Sequence, residues 1–136
     1  MNHIELLESK EACFDAVEWA SNYPNFESAW NACHRGDWML WIAFRLGVDK
    51  RKLTLAKGRC AETVIHLMKD QRSIDAVRAA IAYGNGEIDD KQLSAYTDDA
   101  YAAYAAADAA AAEKENQLKT ADICREILTS EILNNN

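Results

Sequence analysis

Ten of the thirteen residues from Ala100 to Ala112 are alanine, and this stretch limits the possible folds more than any other part of the chain. Alanine has the highest helix propensity because its side chain loses no rotamer entropy in a helix. Among the 136 residues, 24 alanines stand against a single proline, Pro24, and five glycines. No segment alternates apolar and polar residues in the way that predicts a strand. The sequence therefore predicts an all-α fold in which residues 90–115 form a long alanine-rich helix.

Apolar residues spaced by three and four predict about seven helices in a single domain, residues 1–136, with 134–136 as a frayed tail. The stretch Trp38–Phe44 is apolar on every side, and we expect it to form a central buried helix rich in tryptophan. Because alanine buries little surface, the core is expected to depend on leucine and isoleucine and on Trp19, Trp30, Trp38 and Trp41. Helix caps are predicted at Ser9, Asn25, Asp37, Asp49 and Asp89.

The formal net charge of −7 is unevenly distributed along the chain. Residues 1–30 contain one lysine and six acidic residues, whereas residues 31–60 contain seven basic residues and two aspartates. We call residues 50–59 the basic segment; its cations are Lys50, Arg51, Lys52, Lys57 and Arg59. The net negative charge of the whole chain disfavours binding to nucleic acid. The basic segment is interpreted either as a partner-binding surface or as a solvated helix face that pairs with the acidic N-terminal part.

Tyr101 and Tyr104 share a face of the predicted alanine-rich helix. A smooth alanine face allows another helix to approach closely, either within the chain or on a partner. Tyrosine is enriched at protein interfaces, so an exposed tyrosine pair favours the partner. The basic segment and these two tyrosines are therefore the candidate partner-binding residues.

Residues able to perform catalysis or bind metal are present, but no established motif joins them. Glu62, His66 and Asp70 are spaced by four on the predicted fourth helix, where they could hold a metal or tune a base. Such a row is also typical of solvated ion pairs on a helix surface. Cys33 and His34 are adjacent in sequence and so point apart on a helix. We expect no catalytic residue, no bound metal and no cofactor.

The four cysteines, Cys13, Cys33, Cys60 and Cys124, are widely separated. The N-terminus does not have the pattern of a secretory signal, so we expect these thiols to be reduced and buried as small apolar groups.

Four charged residues are predicted to form a buried polar network that joins helix ends: Arg35, Asp37, Asp70 and Arg72. Within it, Asp37 is predicted to cap a helix, and replacing it with alanine is expected to cost about 1 kcal/mol of stability.

Several blocks of this sequence resemble an all-helical family of immunity proteins of the Imm5-like type. The most specific is the pattern W-x-x-C-x-R-G-D-W-x-L-W at residues 30–41, and the resemblance continues through Asp70–Ser73 and Ala121–Arg125 to cover nearly the whole chain. It implies a small cytoplasmic protein of bacteria or their phages. Such a protein would neutralise a toxin or effector by direct contact, without enzymatic activity.

The chain departs from the family in its short C-terminal tail and its comparatively short alanine helix. An alternative is therefore a phage-encoded inhibitor of a bacterial defence system, similar in role to an anti-CRISPR protein. In both cases the expected partner is a protein, with no role for a membrane and with a homodimer left open.

Overall fold

The computed structural model describes residues 2–96 and 113–134. These residues form eight α-helices, two short 3₁₀ helices and no strand, which confirms the all-α prediction. The helices are α1 (His3–Ser9), α2 (Phe14–Ala20), α3 (Phe26–Ala32), α4 (Gly36–Arg45), α5 (Lys50–Glu62), α6 (Gln71–Gly84), α7 (Asp90–Ser94) and α8 (Gln117–Asn134), and the 3₁₀ helices are Ile65–Leu67 and Lys114–Asn116. None of the described helices is both long enough and apolar enough to cross a bilayer.

Three of the predicted caps are confirmed, and two are wrong. The side chains of Asn25, Asp49 and Asp89 each accept a hydrogen bond from a backbone N–H in the first turn of the helix that follows. Ser9 instead ends α1, where its hydroxyl donates to the carbonyl oxygen of Leu6. Asp37 lies inside the first turn of α4, because its carboxylate is held by an arginine rather than by the helix N-terminus.

The centre of the molecule is built from α4, α5, α6 and α8. We call it the small-residue core, because alanine, cysteine and valine supply most of its fully buried positions. These positions are Ala56, Cys60, Ala61, Ala76, Val77, Ala80, Ala121 and Cys124, with Leu128 and Ile132 at the far end of α8. Small side chains let the helix backbones approach closely, so that a Cβ atom on Gly36 would lie 2.3 Å from Thr120 Oγ1.

The central helix α4 is buried on one side only. Met39, Leu40 and Ala43 are inaccessible, as predicted, but Phe44 is 62% exposed. Trp38 and Trp41 are only half-buried and pack against the edge of the core. Trp30 of α3 is the one tryptophan that is buried, and its indole N–H donates to Thr129 Oγ1 at 2.9 Å. Trp19, Trp38 and Trp41 therefore pack against the core from its edge, and Trp30 is the tryptophan that lies within it.

Two predicted boundaries also differ. The described part of the predicted 90–115 helix consists of α7, which ends at Ser94, and of a separate 3₁₀ helix at 114–116. Residues 97–112, which include the alanine-rich stretch, lie outside the described residues. At the C-terminus α8 continues through Asn134, so this residue belongs to the helix and not to a frayed tail.

Candidate functional site

The contacts of the basic segment run to α4, α6 and α7. Lys50 Nζ lies 3.0 Å from Asp90 Oδ1, and Lys57 Nζ lies 5.7 Å from the ring centre of Phe44. Lys52 and Arg59 are exposed on α5. Pairing of this segment with the acidic N-terminal part stays a prediction.

Arg51 has a structural position within the chain, and its role in partner binding stays a prediction. Its half-buried guanidinium donates to the carbonyl oxygens of Tyr83, at 2.5 Å, and Ile88, at 3.0 Å. The same guanidinium lies 4.3 Å from the ring centre of Tyr83. These carbonyls follow the end of α6, where a cation complements the helix dipole. Arg51 thus fixes the turn between α6 and α7.

We call Lys50, Arg51, Tyr83 and Asp90 the latch, because they join the starts of α5 and α7 to the end of α6. The Tyr83 hydroxyl donates to Asp90 Oδ1 at 2.6 Å, beside the Lys50 ammonium. Both hydrogen bonds lower the pKa of the Asp90 carboxyl, and the one from Tyr83 makes the larger contribution. The bond to Asp90 in turn raises the pKa of the Tyr83 hydroxyl, with a further contribution from burial. The latch accounts for these shifts by local structure and requires no ligand.

The other predicted partner-binding residues, Tyr101 and Tyr104, lie outside the described residues. Their role on the surface stays a prediction.

The four predicted network residues form two separate ion pairs. Asp37 accepts two hydrogen bonds from Arg35, at 2.9 and 2.6 Å, beside α4. Asp70 pairs with Arg72 at 3.1 Å at the start of α6, where both side chains are largely exposed. The hydrogen bonds from Arg72 lower the pKa of Asp70. A single buried network is therefore wrong, because Asp70 serves α6 as a local cap that accepts from both the backbone N–H and the guanidinium of Arg72.

The proposed row of Glu62, His66 and Asp70 does not exist on one helix face. Helix α5 ends at Glu62, His66 lies in the first 3₁₀ helix, and Asp70 precedes α6. At this end of α5 the Thr63 hydroxyl donates back to the carbonyl oxygen of Cys60. No cluster of three or more potential metal ligands occurs within 2–96 and 113–134.

Three of the cysteines are buried, as predicted, whereas Cys13 is exposed at the start of α2. Burial raises the pKa of the Cys33 thiol. The neighbouring Cys60 thiol and burial together raise the pKa of Cys124 well above its usual value. A thiol acts as a nucleophile through its thiolate, so these raised pKa values are those of packing groups and not of reactive ones.

An apolar pocket of about 370 Å³ that could bind a partner lies among α1, α2, α3 and α4. We call it the tryptophan pocket. Its walls include Leu7 of α1, Ala16 and Trp19 of α2, Phe26, Ala29 and Trp30 of α3, and Trp38, Trp41 and Ile42 of α4, and the turn between α1 and α2 adds Glu11, Ala12 and Cys13.

Short helices and large aromatic rings explain why the pocket exists. Helices α1, α2 and α3 have seven residues each and change direction at tight turns, including the one at Pro24. Trp19 contacts the rings of Tyr23 at 4.8 Å and Trp38 at 6.0 Å, measured between ring centres. Arg125 of α8 fixes the far side by donating to the carbonyl oxygens of Trp30, at 3.3 Å, and of Cys33. The rings therefore form walls around a space that no side chain of these short helices fills.

Two arginines lie near the rings of two tryptophans at the pocket. The guanidinium of Arg35 lies 4.4 Å from the ring centre of Trp38 while it binds Asp37. The guanidinium of Arg45 lies 5.6 Å from the ring centre of Trp41 and 3.3 Å from Glu11 Oε2. Each of the two acidic residues that line the pocket is thus neutralised within the chain.

Sequence reasoning missed this pocket. The available signal was the presence of all four tryptophans within residues 19–41, on helices too short to cover that much aromatic surface. Composition predicts these residues in the core, but it does not show whether the space between them is filled.

Comparisons with protein-family models, with curated proteins and with solved structures each found no match.

Proposed function

We propose that this protein binds another protein and inhibits it by direct contact, without catalysing a reaction, and that the tryptophan pocket is the centre of the interface. One observation carries the proposal: the half-exposed Trp19, Trp38 and Trp41 surround an open apolar pocket. Tryptophan and arginine dominate the binding energy of interfaces, where an anchor side chain of one partner enters a pocket of the other. The tryptophan pocket combines both residue types, since Arg35 and Arg45 lie beside the rings of Trp38 and Trp41.

The nature of the partner is proposed from the resemblance to Imm5-like immunity proteins. This resemblance favours a bacterial toxin or effector as the partner, which the protein would neutralise in the cytoplasm of the cell that makes it. Neutralisation then requires only that the bound protein covers the toxin's active surface.

The net charge of −7 favours a second candidate, a phage-encoded inhibitor of a bacterial defence complex. Defence complexes that hold nucleic acid do so in positively charged channels, which attract an acidic protein. The same pocket would serve as the anchor point on such a complex.

Affinity capture from the native host, with matched substitutions, tests the proposal. Ala16→Leu extends a larger side chain into the pocket, whereas Ala32→Leu places the same side chain on the exposed end of α3, outside the pocket. The wild type and Ala32→Leu are expected to recover one stoichiometric partner and to inhibit it after purification, and Ala16→Leu is expected to do neither. The identity of that partner separates a toxin from a defence complex.

Two outcomes contradict the proposal. Recovery of no stoichiometric partner removes the binding function. Equal recovery by Ala16→Leu removes the pocket from the interface, and loss of capture by Lys52→Ala with Arg59→Ala would then assign the interface to the basic segment.

A further inference from the structure

We propose that the tryptophan pocket accepts an uncharged apolar group the size of one aromatic side chain, and that Arg35 and Arg45 exclude cationic groups from it. This inference rests on the proposed function, because it names the chemistry of the residue that the partner inserts.

The size of the occupant follows from the volume of the pocket. A closed apolar cavity of about 150 Å³ already binds benzene, and pockets from about 300 Å³ upwards accept small molecules. The tryptophan pocket, at about 370 Å³, has room for an indole or a phenol ring. Its apolar walls, among them Leu7, Ala29 and Ile42, offer such a ring dispersion contacts on several sides.

The charge of the occupant follows from how the chain uses its own acids and indole faces. Carboxylates beside tryptophan rings normally attract a cation. Here both combinations are already occupied, since Arg35 binds Asp37 and stacks on Trp38, and Arg45 binds Glu11 and stacks on Trp41.

An incoming lysine or arginine would therefore have to displace one of these arginines or lose its hydration without a new partner, and both are unfavourable. The ring nitrogen Nε2 of His3, which also lines the pocket, is engaged with the carbonyl oxygen of Ala20 at 3.0 Å. An uncharged ring can enter the pocket without displacing an arginine and without removing a charge from water.

Small-molecule titrations of the intact protein test this specificity independently of any partner. The probes are N-acetyl-tryptophanamide and N-acetyl-argininamide, followed by the NMR signals of the four indole N–H groups. The neutral probe is expected to shift these signals with a dissociation constant on the order of 1 mM, and the cationic probe to bind at least about tenfold more weakly. Ala16→Leu is expected to weaken binding of the neutral probe, because its side chain takes up part of the pocket, and Ala32→Leu is expected to leave it unchanged.

The two arginines are tested by Arg35→Gln and Arg45→Gln, each of which frees one indole face and one carboxylate. Each variant is expected to bind the cationic probe about fivefold more tightly than the wild type does, with little change for the neutral probe. Circular dichroism checks that the variants fold. If neither does, the ratio of the two probes on the wild type decides alone.

Three outcomes overturn the inference: no indole shift with the neutral probe, equal binding of both probes by the wild type, or unchanged binding by Ala16→Leu. The result is separable from the proposed function. A protein that binds the neutral probe but captures no partner keeps this inference and loses the function, and the reverse result keeps only the function.

Discussion

The small-residue core and the tryptophan pocket solve the problem of packing helices in opposite ways. In the core, Ala56, Cys60 and Ala76 are fully inaccessible, and the helix backbones lie nearly in contact. Around the pocket, the largest side chains of the chain leave about 370 Å³ unfilled. Small side chains can fill space by letting backbones approach, whereas large rings on short helices cannot be brought closer together.

This difference separates stability from binding. The core has almost no free space, so any change in volume there should be costly. The pocket has unused space, so the chain should tolerate, and even gain from, added volume. Matched substitutions in the two regions test the contrast, and the expected effects differ in sign as well as in size.

The largest effect is expected from Gly36→Ala at the crossing of α4 and α8. The new Cβ atom would lie 2.3 Å from Thr120 Oγ1 and 2.9 Å from the carbonyl carbon of the same residue, so the two helices would have to move apart. We expect a loss of about 3 kcal/mol in the free energy of unfolding, measured by urea denaturation.

Gly47→Ala is the matched control, since nothing lies within 4 Å of the added Cβ atom. Its backbone φ of +70° is unfavourable for alanine, and the expected loss is about 1 kcal/mol. Equal losses at Gly36 and Gly47 would show that the helix crossing is looser than the structure indicates.

The second comparison adds the same three carbon atoms to each region. Ala56→Leu enlarges a side chain with no accessible surface and is expected to cost about 2 kcal/mol. Ala16→Leu extends into the pocket and is expected to stabilise the protein by about 1 kcal/mol. Urea denaturation of both variants measures the difference. A loss of stability in both would mean that the pocket walls have no room to accept the added group.

The fold was largely predictable from local patterns. The all-α class and the caps at Asn25, Asp49 and Asp89 depend on residues within a few positions of each other, so periodicity and capping chemistry reveal them. The end of α5 at Glu62 was not predictable in this way, because its apolar spacing continues past the point where Thr63 binds the helix backbone.

The candidate site was much less predictable, because it depends on distances between helices. Arg51 belongs to a run of cations in the sequence, yet its guanidinium is bound to backbone carbonyls 32 and 37 positions away. Trp19 and Trp38 are large apolar residues that the composition predicts in the core, but only the angles between short helices decide that a pocket opens between them. Sequence patterns indicate which residues face inward, and the structure shows how well they fill the interior.

The smallest expected effect is the pH dependence of the latch, whose residues follow the tryptophans in the sequence. Since the folded state lowers the pKa of Asp90, its contribution to stability is present above the unfolded value of about 3.9 and is lost as the pH falls through the lowered value. The raised pKa of Tyr83 has the opposite sign, so its contribution is present below about pH 10 and is lost at higher pH.

Near pH 3 we therefore expect amide exchange in α7 to become faster, when it is measured relative to the exchange rate of an unstructured chain. Tryptophan emission is expected to stay unchanged, because every tryptophan lies in residues 19–41. Tyr83→Phe should weaken this response, since it removes the hydrogen bond that contributes most to the shift of Asp90. A change of emission that accompanies the exchange in α7 would show that the two regions unfold as one unit. The pocket would then share the stability of the core.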